Sequence, residues 1–160
     1  MRIFTLYTIC LVFIFTNSCG QAHNNSIKKE AESMLIDFYT KYITVFATEP
    51  PGFSSQKKLE VLQKLYCTEE LFKKIPFIVE QTDADPLLKA QDCDINWLQT
   101  LKIIEDKQNY NEFIVSYSYD QFFDTNSDKT IKAVVAIRVT IVRDSNNYKI
   151  SSLKWKKYNK

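Results

Sequence analysis

A single histidine, two glycines and almost no excess charge set the first limits on what this 160-residue chain can do. His23 lies close to the N-terminus, ahead of any patterned segment. A domain folded from the rest therefore has no imidazole base, no Ser-His or Cys-His nucleophile pair and no histidine zinc site. With only Gly20 and Gly52, a glycine-rich phosphate cradle is also excluded. Basic and acidic side chains number 21 and 19, a net +2, which is no electrostatic footprint for nucleic acid. Nothing in the chain implies a cofactor.

Long apolar runs are scarce as well, and the one that exists is at the start. Ile3 to Phe15 is almost wholly apolar, Arg2 precedes it, and Ser18-Cys19-Gly20 follows. A short apolar stretch ending in small residues marks a secretory signal. About 13 residues is also short of the roughly 20 that span a bilayer. The run Phe15-Thr16-Asn17-Ser18-Cys19-Gly20 resembles the bacterial lipobox, although Leu is missing at its usual place. The expectation is a signal peptide over 1–18, a fatty-acylated Cys19 and a polar tether over 19–26. One domain then fills 27–160, anchored in the cell envelope. Gly20 after the lipid cysteine favours the outer membrane, facing the periplasm. Loss of Arg2 with the leader leaves 20 basic and 19 acidic groups, a net +1.

Of four cysteines, Cys10 leaves with the leader and Cys19 is acylated, so Cys67 and Cys93 remain. In an oxidising compartment they form either a disulfide or two separate buried thiols. A bond would close a loop of about 27 residues, worth roughly 3 kcal/mol in the chain-entropy model.

From Ile27 the apolar positions Ala31, Met34, Leu35, Phe38, Tyr39, Tyr42, Ile43 and Phe46 recur at helical steps. The helix must stop before Pro50-Pro51-Gly52. Ser54 or Ser55 starts a second helix, with Leu59, Leu62, Leu65 and Tyr66 on one face. Thr68 caps a third, with Glu69 and Glu70 suiting the helix dipole, Leu71, Phe72 and Ile75 inside, and Pro76 ending or bending it. Asp85-Pro86 reads as another start signal, followed by one short helical turn through Leu87, Leu88 and Ala90.

After Trp97 the period changes to two. Leu101 and Ile103 begin an alternation, and Phe113, Val115, Tyr117 and Tyr119 share one face of a long strand. Ile131 to Ile141 alternates without interruption, and Ser145-Asn146-Asn147 is a tight turn. In the last strand Tyr148 and Ile150 differ in parity from Leu153 and Trp155. A one-residue bulge near Ser151-Ser152 brings all four to one face. Helices first and antiparallel strands after predict an α+β domain, helices packed on a curved sheet of about four strands. That arrangement is similar to the nuclear-transport-factor-2-like cone.

The stretch Asp83-Ala84-Asp85-Pro86-Leu87-Leu88-Lys89-Ala90-Gln91-Asp92 is distinctive. It resembles the hallmark of a bacterial domain of unknown function found in enterobacterial lipoproteins of the YbjP/YqhG type. Phe38-Tyr39 with Tyr42, the Tyr66-Thr68-Leu71 turn and a final tryptophan strand are further likenesses, over most of residues 30–157. An aromatic usual in the family near Leu87-Leu88 is here leucine. The resemblance implies the cone-shaped fold and carries no established activity.

Two constellations are left for chemistry. Asp83, Asp85, Asp92 and Asp94, with Pro86 and Gln91 among them, form a polar cluster. It either holds a hard cation or caps turns and accepts backbone N–H bonds. Tyr117, Tyr119 and Asp120 either line a sheet pocket with Tyr110 and Trp155 or belong to the core. The terminal lysines, Lys154 among them, either protect an edge strand or meet anionic headgroups. The expected function is a non-catalytic envelope lipoprotein that binds a protein partner or a small ligand. The alternatives are an immunity-type lipoprotein that neutralises an envelope-acting toxin, and a carboxylate-dependent hydrolase or isomerase.

Overall fold

The computed structural model describes residues 18–109, 111–122 and 130–155. Residues 1–17, where the signal peptide is expected, lie outside them, as do Tyr110 and the last lysines. Three helices pack on a four-stranded antiparallel sheet, so the α+β class expected from the patterning is present. The helices are α1 (Ser18–Thr48), α2 (Phe53–Tyr66) and α3 (Glu69–Thr82). A short 3₁₀ helix (Ile95–Gln99) leads into β1 (Lys102–Glu105). Strands β2 (Glu112–Phe122), β3 (Thr130–Asp144) and β4 (Asn147–Trp155) complete a meander in the order β1-β2-β3-β4.

α1 begins at Ser18 rather than Ile27, so the stretch read as a tether is helical. After Gly20 it contains neither glycine nor proline to interrupt the backbone ladder. The helix touches both edge strands, β1 and β4, and therefore crosses the sheet from side to side. Its inner stripe is the one the spacing predicts: Ala31, Leu35, Phe38, Tyr39, Tyr42 and Ile43 are all buried. Lys28 Nζ adds an ion pair to Glu105 of β1 at 2.7 Å.

α2 starts a residue ahead of Ser54, because Ser55 acts from the third helical position rather than as the cap. Its Oγ accepts from Gly52 N at 3.1 Å. Leu59 and Leu62 pack on the core and Tyr66 is buried, but Leu65 is 60% exposed and does not join that face. Thr68 caps α3 as expected, accepting from Leu71 N at 3.3 Å. The helix runs through Pro76 to Thr82 instead of stopping there. Proline removes one backbone bond, while Leu71 and Ile75 remain buried and Asp83 closes the far end in a left-handed conformation (φ 51°). The α2–α3 junction docks on β4 through Thr68 N to Ile150 O at 2.8 Å.

The sheet follows its period. Phe113, Val115 and Tyr117 of β2, with Val135, Ile137, Val139 and Ile141 of β3, face the helices. Thr140 pairs with Ser152 and Ile141 with Ile150, leaving Ser151 unpaired. This is the bulge that the parity change requires, and Leu153 and Trp155 join Ile150 against the core. On the opposite face a charged network replaces apolar packing. Glu112 accepts from Lys154 Nζ at 2.9 Å and lies 3.4 Å from Arg138, which reaches Asp106 at 2.8 Å.

Tyr39 carries a fully buried hydroxyl with no hydrogen-bond partner among the described residues. An orphaned buried hydroxyl costs about 1–3 kcal/mol. Tyr39→Phe is therefore expected to raise unfolding free energy by about 1 kcal/mol in urea titrations. A loss instead would mean that an ordered water satisfies the group.

Candidate functional site

The Asp83–Asp92 stretch is built as a structural plug. Asp85 and Ala90 exchange backbone bonds, with Asp85 N to Ala90 O at 2.8 Å and the return bond at 3.4 Å. The expected helical turn does not form, because Lys89 sits in the left-handed region (φ 52°) and closes a loop instead. Asp85 Oδ1 accepts from Leu87 N at 2.8 Å and Leu88 N at 3.0 Å. Its Oδ2 accepts from the Tyr42 hydroxyl at 2.7 Å, which in turn accepts from Gln63 Nε2 at 2.7 Å. Pro86, Leu87 and Leu88 are driven into the core. The loop carbonyls are met from the sheet: Trp155 Nε1 donates to Pro86 O at 3.1 Å, and the Tyr117 hydroxyl donates to Leu88 O.

Tyr117 and Trp155, expected as pocket walls, are thus committed to holding this loop. Gln91 Nε2 donates to Asp83 Oδ2 at 3.1 Å. Asp94 accepts from Asn96 N at 2.8 Å and caps the 3₁₀ helix. Among the described residues no three acidic, cysteine or histidine side chains converge as a cation site would need. Cys67 and Cys93 are both free thiols, so the disulfide is not formed. Cys67 is buried where the α2–α3 junction bridges to Ile150, whereas Cys93 lines a surface cleft. Cys19 lies in the first turn of α1.

That cleft is where the remaining candidates meet. It has a volume of about 1010 Å³ and lies between the end of α1, the segment from Asp92 to Thr100, and the adjoining ends of β2 and β3. Trp97 stacks on Tyr117 with centroids 4.5 Å apart and planes at 15°, and lies 5.8 Å from Tyr119. The segment is fastened to β2 by Thr100, whose Oγ1 accepts from Ser118 N at 3.0 Å. Asp92, Asp94 and Asp120 supply carboxylates, and Lys132, cross-strand partner of Asp120, supplies an ammonium. Burial pushes the Cys93 thiol up to about 12, helped by the nearby carboxylates of Asp94, Asp85 and Asp92. At neutral pH it is a protonated thiol, not the thiolate that acts as a nucleophile.

Of the sequence-derived candidates, Asp92, Asp94, Tyr119 and Asp120 converge here, while Asp83, Asp85, Pro86 and Gln91 build the loop beside it. Sequence reading missed Trp97, Thr100 and Lys132 as site residues. The usable signal was Asp94 two residues before Asn96-Trp97, a capping pattern that anchors a tryptophan in a segment with no period. A second hollow of about 750 Å³, between α1 and α2, is mostly apolar. Two of its lysines are already paired, Lys41 with Asp37 at 2.6 Å and Lys58 with Glu49 at 2.7 Å.

Fold and cleft together define a small α+β domain with an aromatic-floored side pocket. The chain is similar to a protein of unknown function from Bacteroides thetaiotaomicron VPI-5482, whose crystal structure aligns with a TM-score of 0.71 at 28% identity. The match covers 83% of this chain and 95% of that one. No family model and no curated protein matches the chain.

Proposed function

We propose that this chain is an envelope lipoprotein, anchored through Cys19, whose domain is a non-catalytic module holding a small ligand in the Trp97–Tyr119 cleft. The carrying observation is the cleft itself. At about 1010 Å³ it is at the upper end of small-ligand sites, which run to roughly 1,000 Å³. Its aromatic floor is fixed by stacking on a buried tyrosine rather than left free to collapse.

The chemistry of the lining supports binding over turnover. Among the described residues that line the cleft there is no histidine, and the Cys93 thiol is held protonated. The lipid anchor is supported by the lipobox-like run ending in Cys19, and a multiply acylated cysteine holds a domain at a membrane stably, whereas one chain does not. No helix among the described residues is long and apolar enough to cross a membrane. Outer-membrane placement facing the periplasm rests on Gly20.

Mass spectrometry of protein from its own host tests the anchor: the expected N-terminus is an acylated Cys19, and an unmodified residue 19 overturns that half of the reading. Small-molecule binding to the full chain, with Tyr119→Ala as the variant, tests the other half. Affinity for a cleft ligand is expected to fall, and an unchanged affinity would place the ligand elsewhere.

A further inference from the structure

We infer that the cleft ligand is an organic polycation, an alkyl di- or polyamine, an assignment that rests on the small-ligand reading above. The chain as a whole carries a net +2, yet among the described residues this cleft is lined by three carboxylates and one ammonium, an excess of two negative charges. The carboxylates are spread over two sides. Asp92 and Asp94 stand on the segment entering the 3₁₀ helix, and Asp120 stands on β2. A metal ion would need them gathered at one point, and they are not. A flexible chain with ammonium groups at intervals meets both sides at once.

Hydrogen-bonding capacity points the same way. Ionised carboxylates only accept, and three of them stand in the described lining against the single ammonium of Lys132. The lining is therefore rich in acceptors and favours a ligand that mainly donates, as an ammonium does. A neutral sugar offers donors and acceptors in similar number, and an anion offers acceptors facing acceptors. Tyr119, only partly buried, adds an aromatic ring to the lining, and the negative quadrupole of such a ring attracts alkylammonium groups and accommodates the methylenes between them. A recessed cleft with a net negative lining also concentrates cationic ligands, an effect that salt weakens.

The test is isothermal titration calorimetry of the full chain in neutral detergent, with spermidine, chitotriose and glutamate as three probes. Spermidine is expected to bind saturably at one site and more weakly as salt is raised. Asp120→Asn and Asp92→Asn should each weaken it by about 2–5-fold, Tyr119→Ala similarly, and the Asp92→Asn/Asp94→Asn/Asp120→Asn variant by about tenfold or more. Glu69→Gln/Glu70→Gln on α3, away from the cleft, should leave it unchanged, and far-ultraviolet circular dichroism confirms that each variant is folded. Spermidine binding indifferent to the cleft variants overturns the inference. Chitotriose or glutamate binding that Tyr119→Ala abolishes, without spermidine binding, overturns it while leaving the small-ligand reading intact. No binding by any of the three overturns both.

Discussion

Asp85→Ala is expected to lower the unfolding free energy by about 3–5 kcal/mol, read as a drop in the urea midpoint at nearly constant slope. Three donors lose their acceptor at once: Leu87 N, Leu88 N and the Tyr42 hydroxyl. Leu87, Leu88 and Tyr42 are fully buried, so water does not replace the lost oxygen cheaply. Asp85→Asn isolates part of this. Its carbonyl still serves the two amides, but its NH₂ faces a Tyr42 hydroxyl already accepting from Gln63, and the tyrosine proton is left without a partner. The expected cost is about 1–3 kcal/mol, the range for one buried group left unsatisfied.

The same residue gives stability a pH slope. Burial raises the Asp85 carboxyl from 3.8, against the lowering effects of the Tyr42 hydroxyl and the Leu88 and Leu87 amides. The folded state therefore holds the proton more tightly than the unfolded chain. Its contribution is complete below the unfolded value and diminishes as pH rises through the folded one. The stability of the natural protein relative to Asp85→Asn should thus be greater in mild acid and shrink toward neutrality. A difference that grows with pH would mean that the hydrogen bonds outweigh desolvation.

Why the sequence disclosed the sheet but not this loop follows from the range of the interactions. Each strand declares its face in its own period, and even the Ser151 bulge shows in the parity change between Ile150 and Leu153. The inner stripe of α1 is legible for the same reason, since Leu35, Phe38, Tyr39 and Tyr42 are neighbours on one helix. Asp85-Pro86 is different. An aspartate accepting amide bonds two and three residues on is common to helix caps and to closed turns. The choice depends on Tyr42, Gln63, Tyr117 and Trp155, which approach from distant parts of the chain. The cleft is non-local in the same sense. Asp120 and Tyr119 could be flagged as polar and aromatic residues on a strand, but only folding sets Trp97 against them. Leu65 illustrates the opposite error: its spacing from Leu62 suits an inner face, yet α2 packs at the margin and leaves it in solvent.

Phe38→Ala is the second large effect expected, about 3–5 kcal/mol, the range for deleting a buried aromatic ring. Phe38 is fully buried and is the hub of the α1 cluster, with ring centroids 5.0 Å from Tyr39, 5.1 Å from Tyr42 and 5.2 Å from Tyr66. Alanine leaves a void that these rings cannot all close, since Tyr42 is held by Asp85 and the Tyr66 hydroxyl is held by Asp37 and Lys41. At about 2–4 °C per kcal/mol for a chain of this size, thermal unfolding should begin roughly 10 °C lower, visible by circular dichroism. Phe38→Leu conserves most of the volume and should cost only about 1.5 kcal/mol. Because the ring rests against Tyr42, the void and the Asp85 network share a partner. The Phe38→Ala/Asp85→Asn cycle should therefore deviate from additivity by about 0.5 kcal/mol or more. The sign is expected to be less than additive, since a Tyr42 already released by the void loses little more when its acceptor is changed. Strict additivity would show instead that the Asp85 loop is secured by Tyr117 and Trp155 alone, independently of the helix that crosses beneath it.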